Sequence, residues 1–141
     1  MTLEEHLVSV FEAWMRSVSP KVDALEKVYN PFSDDKIVLP GLFLRPSMDE
    51  EVIPNSTIFE ISLVIEYRYL VNRTPSSEAM ELWGEVHNSI FGNSFEALSD
   101  ALTDVSESFL VHYVKLGETQ PASREGERHH TVTLQIGCAT P

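Results

Sequence analysis

The sequence predicts an α+β domain: a mostly antiparallel sheet with a long central strand, and helices packed on one face. Three observations carry this. Across "TIFEISLVIEYRYLVNR" (57–73), Phe59, Ile61, Leu63, Ile65, Tyr67, Tyr69 and Val71 are all apolar or aromatic, while Ile58, Glu60, Ser62, Val64, Glu66, Arg68 and Leu70 are mixed. That is the period of a strand with one buried face. Three other stretches carry apolar residues at helical spacing. The elements also do not alternate strand and helix: the order is helix, two short strands, long strand, two helices, hairpin.

The first helix opens on Thr2 with Glu5 three residues later, a capping-box pattern. Leu3, Leu7, Val10, Phe11, Trp14 and Val18 form its apolar stripe, His6 and Arg16 lie on the polar side, and Pro20 stops it. "KVDALEKVYNPF" reads equally as a strand or a short helix. "DDKIVLPGLFLRP" reads as a short strand broken at Pro40-Gly41 and resumed over 42–45, and "PSMDEEVIPNS" as an acidic loop bounded by prolines. "GLFLRP" and "TIFEISLV" then form an antiparallel pair across that loop. The next helix is capped by Ser76 or Thr74, with Met80, Trp83, Val86, His87, Ile90 and Phe91 facing in, and it ends at Gly92-Asn93. Ser94 caps a further helix whose inward residues are Leu98, Ala101, Leu102 and Val105. "SFLVHYVKL" (108–116) is apolar enough for a strand buried on both faces. Residues 117–128 read as a flexible loop. "HHTVTLQIGC" closes the chain with Val132, Leu134, Ile136 and Cys138 on one side, and Thr131, Thr133 and Gln135 on the other.

At 141 residues and 43% hydrophobic content, one domain spanning 1–141 with its own core is expected. No run of eighteen apolar residues occurs, and "MTLEEHLVSVF" has acids where a signal peptide carries bases, so neither a membrane span nor export is expected. Cys138 is the one cysteine and reads as a buried structural thiol. Acids outnumber bases by 22 to 10, a formal charge of -12, which argues against a general nucleic-acid binder.

Catalytic patterns are missing from the sequence: there is no phosphate loop, Gly-x-Ser-x-Gly, Cys-x-x-Cys or His-Glu-x-x-His. His129 and His130 are strand neighbours that point to opposite faces. Asp34-Asp35 and Asp49-Glu50-Glu51 read as solvated loop acids. No enzyme activity, catalytic residue, cofactor or metal is expected. The alternative to a structural protein is a small cytosolic α+β ligand-binding domain, with a pocket between sheet and helices lined by Trp14, Trp83 and Tyr113.

The long strand raises a question of size. A compact domain of this length is about 37 Å across, whereas about fifteen strand residues reach roughly 50 Å. Residues 57–65 are therefore expected in the core sheet, and 66–73 are expected to leave the body or curl and meet another subunit. Candidate interface residues are Tyr67, Arg68, Tyr69 and Val71, with Asp49, Glu50 and Glu51 from the acidic loop. Arg68 has two readings: a pair with a neighbour's acid, or a cross-strand pair within its own sheet. The 117–128 loop, with Gln120, Arg124, Glu125 and Arg128, reads either as a partner contact ordered on assembly or as a plain flexible loop.

The amphipathic N-terminal helix, the "FEISLVIEYRY" strand, the capped "SSEAMELWGEVHNSIF" helix and the closing "RHHTVTLQIGC" strand together resemble the tail-terminator and tail-completion (neck) proteins of long-tailed bacteriophages. The resemblance rests on element order and length from about Leu3 to Cys138. It implies a homo-oligomer, a hexameric ring made in the host cytoplasm and carried in the virion. The ring would end the tail tube, contact the tube protein and the head-completion or connector protein, and let DNA through its lumen without specific binding.

Overall fold

The computed structural model describes residues 2–51, 57–106, 109–118 and 126–139. Eight elements follow in order: α1 (Leu3–Val18), α2 (Pro20–Asp23), β1 (Gly41–Glu51), β2 (Phe59–Leu70), α3 (Ser76–Phe91), α4 (Phe95–Val105), β3 (Leu110–Leu116) and β4 (Glu127–Ala139). The strands form one antiparallel sheet in the order β1-β2-β4-β3. The expected α+β class is therefore the observed one. No helix among the described residues is long and apolar enough to cross a membrane.

Thr2 Oγ1 accepts the Glu5 N–H at 3.2 Å and starts α1. Leu7, Val10, Phe11 and Trp14 are buried as their spacing requires, joined by Val8 and Met15, whereas Val18 is exposed. Pro20 opens α2 as well as ending α1, because proline's fixed φ suits the first helical turn. Ser19 serves both helices. It closes α1, its Oγ accepts the Val22 N–H at 3.3 Å, and it donates to Glu85 Oε1 of α3 at 2.7 Å. Arg16, read as a polar-face residue, straps α1 to the end of α2 and the residues after it by donating to the carbonyls of Val22, Asp23 and Leu25. The ambiguous 21–30 segment thus resolves as a four-residue helix and an extended stretch, in which Tyr29 makes a parallel bridge to Phe43.

Several expectations need correction. Residues 35–38 are not a strand, and 47–51 are not a loop: β1 runs on through the acids, with Glu50 opposite Glu60 and Glu51 opposite Phe59. Polar residues on an edge strand are tolerated because one of their sides meets solvent. The N-cap of α3 is Pro75, without a side-chain cap. Met80 and His87 are exposed and Val105 is half exposed, so the stripe of α3 is Ala79, Leu82, Trp83, Val86 and Ile90. β3 is a one-faced edge strand, not one buried on both faces.

The largest correction concerns β2. It does not overhang. All twelve of its residues pair with β4, and ten positions pair with β1. Tyr67 and Tyr69 are each only 3% exposed and sit in the core with Trp83 and Leu82. The size estimate assumed a sphere. Neighbours of eleven and thirteen residues instead make the sheet long in the strand direction, so β2 is matched along its whole length.

Inward residues of the sheet (Leu42, Leu44, Ile61, Leu63, Ile65, Leu134, Ile136 and Cys138) join the helix stripes in one core cluster. Each large side chain sunk there contributes about 1.5–3 kcal/mol. Cys138 is buried as expected, and burial pushes its thiol up to about 12.

Candidate functional site

The alternate residues of the sheet face away from the helices. Register places Phe43 beside Glu66 and Thr131, Arg45 beside Val64 and Thr133, and Gly41 beside Arg68 and His129. A ladder of charges follows from these rows. Arg45 Nη2 meets Glu66 Oε2 at 2.9 Å, Arg68 Nε lies 3.8 Å from Glu66 Oε1, and Arg68 Nη2 meets Glu127 Oε1 at 2.6 Å. The Arg68 guanidinium also lies 4.9 Å from the centre of the Phe43 ring, a cation–π contact. Phe43 is in turn stacked on Tyr29 at 5.1 Å.

Tyr29 fixes a loop against this end of the sheet. Its hydroxyl accepts the Val38 N–H at 3.2 Å, and its ring fills the space where a Gly41 side chain would stand. Between loop and sheet lies a groove of about 290 Å³, walled by Tyr29, Pro31, Ile37, Phe43, Arg45 and Arg68. Asp35 at its rim is committed to Lys27 at 3.0 Å and to Ser33 at 2.8 Å, and those two bonds hold its carboxyl below the ordinary value.

At the other end of the same face, Glu60 accepts a hydrogen bond from the Tyr113 hydroxyl at 2.7 Å and pairs with Lys115 at 3.0 Å. Burial alone would raise the Glu60 carboxyl; the bonds from Tyr113 and Lys115 outweigh it and hold the group below its usual range. Burial, then the bond to Glu60, pushes the Tyr113 phenol up to about 12.

The expected site residues are dispersed. Tyr67 and Tyr69 are core residues and are not free to meet a neighbour. Arg68 pairs with Glu127 across the sheet and lies beside Glu66 of its own strand, the arrangement of its cross-strand reading. Val71 is exposed in the turn after β2. Asp49, Glu50 and Glu51 lie in β1. Arg128 is exposed in β4 rather than in a loop, while Gln120, Arg124 and Glu125 lie outside the described residues. Trp14, Trp83 and Tyr113 do not share a pocket. Trp14 lines a cleft with α3 and α4, Trp83 stacks on His130 in the core, and Tyr113 is on the opposite face. His129 faces Arg68 and His130 faces Tyr67, on the two sides of β4. Among the described residues, no group of three or more His, Cys, Asp or Glu could hold a metal ion.

Tyr29, Phe43 and Arg45 were missed from sequence. Their signal was present in "GLFLR": with Leu42 and Leu44 turned inward, Phe43 and Arg45 share the outer face. In comparisons with known proteins, no family model matches the sequence and no curated protein matches it.

Proposed function

We propose that this chain is a structural protein of a phage tail or neck, one that assembles into a ring, ends the tail tube and joins it to the head. The observation that supports it best is the edge at β1. This strand is eleven residues long and lies outermost in the sheet, and beyond the Tyr29 bridge no described strand covers its far side. Past Leu44, where the Tyr29 bridge ends, that edge is a template for another chain. Beside it lie the groove and an exposed apolar loop, features of a surface meant to be covered. The helix, long strand, two helices and closing strand pair on which the resemblance rests occur in the fold in that order, with α2 and the single strand β1 in place of the two short strands. The acidity suits a lumen through which DNA passes, because like charges repel at close range.

Light scattering over a wide concentration range tests the reading, with negative-stain images of the same samples. A closed particle of about six subunits is expected, alone or seeded by tail tubes. A monomer at every concentration that also leaves tubes unbound would refute it.

A further inference from the structure

We propose that the open edge of β1 around Pro46 is filled by the outer edge of β3 from a second copy of the chain, with Leu116 of that copy opposite Pro46, so that subunits join head to tail through a continuous sheet. The inference rests on the ring reading and adds the contact that closes the ring.

The backbone determines what each edge offers. On the far side of β1, the Tyr29 N–H donates to the Leu42 carbonyl at 2.9 Å, and the Tyr29 carbonyl accepts the Leu44 N–H at 2.8 Å. Backbone groups alternate along a strand, so position 46 also turns its own outward. Residue 46 is proline and has no N–H. Past the bridge, the edge therefore presents the carbonyls of Leu44 and Pro46 without a donor from either residue. On β3, the Gly117 N–H meets the Thr133 carbonyl at 2.8 Å, which leaves Val114 and Leu116 facing outward. Val111 is bound by Ser99 and Thr103 of α4, but beyond it no described strand pairs with this edge. It has the N–H groups that β1 lacks.

That difference selects the occupant. Two β1 edges set against each other would bring the Pro46 carbonyls together without a donor, and such a two-fold contact stops at a dimer. An edge of β3 supplies the N–H instead. Neighbours in the order β1-β2-β4-β3 are antiparallel throughout, so a copy added with its helices on the same side lays β3 antiparallel to β1. Side chains set the register. Leu116 pairs with Leu134 and so lies on the helix side, yet it is 60% exposed. Pro46 pairs with Leu63 on that same side, so the contact covers Leu116. Leu116 opposite Leu44 would instead set Lys115 against Arg45, cations exposed by 57% and 48%, and like charges directly opposite are destabilising. With Leu116 at Pro46, Lys115 faces the exposed Ser47. Each copy has one edge of each kind, so the contact is heterologous, and a closed ring leaves neither edge open.

Cysteine cross-linking tests the contact. Across the junction, Ser47 and Lys115 should stand about 4.5 Å apart at Cα, within the span of a disulfide. Inside one copy, three strand spacings, about 14 Å, keep them apart, and Cys138 is buried. On mild oxidation, the double variant Ser47→Cys, Lys115→Cys should give a ladder of covalent multimers on a non-reducing gel. The two single variants should give cross-linked dimers only when mixed. Leu116→Pro removes the N–H that meets Pro46 and spares the bonds to β4. It should weaken association at least about tenfold in light scattering, the effect of one interface bond lost. Circular dichroism checks its fold; if it unfolds, Leu116→Lys, which puts a charge on the edge, replaces it with the same expected loss. Dimers from Ser47→Cys alone in equal yield would mean that β1 meets β1, and would overturn the proposal. Particles without the Ser47–Lys115 cross-link, or undiminished association of the folded Leu116 variant, would overturn this contact and leave the ring reading standing. A wild type that never assembles, alone or on tail tubes, would overturn both.

Discussion

Gly137 of β4 lies directly under the Tyr113 ring, and a methyl group there would fall inside it. Ring and glycine are cross-strand partners, and the ring's position is what brings its hydroxyl to Glu60. Gly137→Ala should therefore cost about 1–3 kcal/mol, the usual penalty for overpacking, measured by chemical denaturation. In a tyrosine absorbance titration, the group near 12 should move toward the ordinary range in that variant. His130 supports a second prediction. Its ring is stacked between Tyr69 at 5.9 Å and Trp83 at 5.8 Å, and its buried Nε2 makes no hydrogen bond. Burial, then the charges of His129 and Arg128, lowers its pKa from 6.5. The unfolded chain thus takes up the proton more readily than the folded one. This contribution to stability is complete above pH 6.5 and is lost as pH falls below it. Denaturation midpoints should decline over that window, and His130→Phe should flatten the decline; an unchanged slope would refute the assignment.

At the scale of elements, β3 is held by two partners. β4 pairs with one edge, and α4 clamps the bulge at Val111. Ser99 Oγ donates to the Val111 carbonyl at 2.9 Å, and Thr103 Oγ1 accepts the Val111 N–H at 3.1 Å. The clamp blocks part of an edge that would otherwise attract another strand. Thr103→Val should cost about 1–3 kcal/mol, because it leaves a buried N–H unpaired, and hydrogen exchange at the Val111 amide should accelerate. None of this was legible in "SFLVHYVKL". Its apolar residues fall at both parities, and a bulge between Val111 and Tyr113 shifts the phase partway along. β2 was legible because its inward set is apolar at every position, so only one of its two faces can be the buried one. The far end of β1 was misread because acids and prolines look like a loop when the covering partner strand is unknown. Arg16 was misread for a related reason: its carbonyl partners depend on how α2 turns, which no local pattern encodes. The charged groove is a pairing of "GLFLR" with "EYR" across the hairpin, so it appears only once the register is known.

For the whole molecule, the charge of -12 sets how copies approach one another. At about 0.01 M salt the screening length is about 30 Å, close to a subunit's width, and at 0.15 M it is about 8 Å. Repulsion between whole subunits is then largely removed, while a contact at about 3 Å is not. Assembly should accordingly be slower in 0.01 M than in 0.15 M salt, as followed by scattering after dilution. Faster assembly at low salt would mean that attraction between patches dominates the encounter.

The tight fit of Tyr113 over Gly137 also constrains how this sequence can be inherited. Any descendant that acquires a side chain at 137 must give up the large ring at 113, and with it the partner of Glu60. The three positions should therefore drift as a unit. Aligned relatives should show a bulky residue at 137 only where 113 is small, and a carboxylate at 60 chiefly where 113 still offers a hydroxyl.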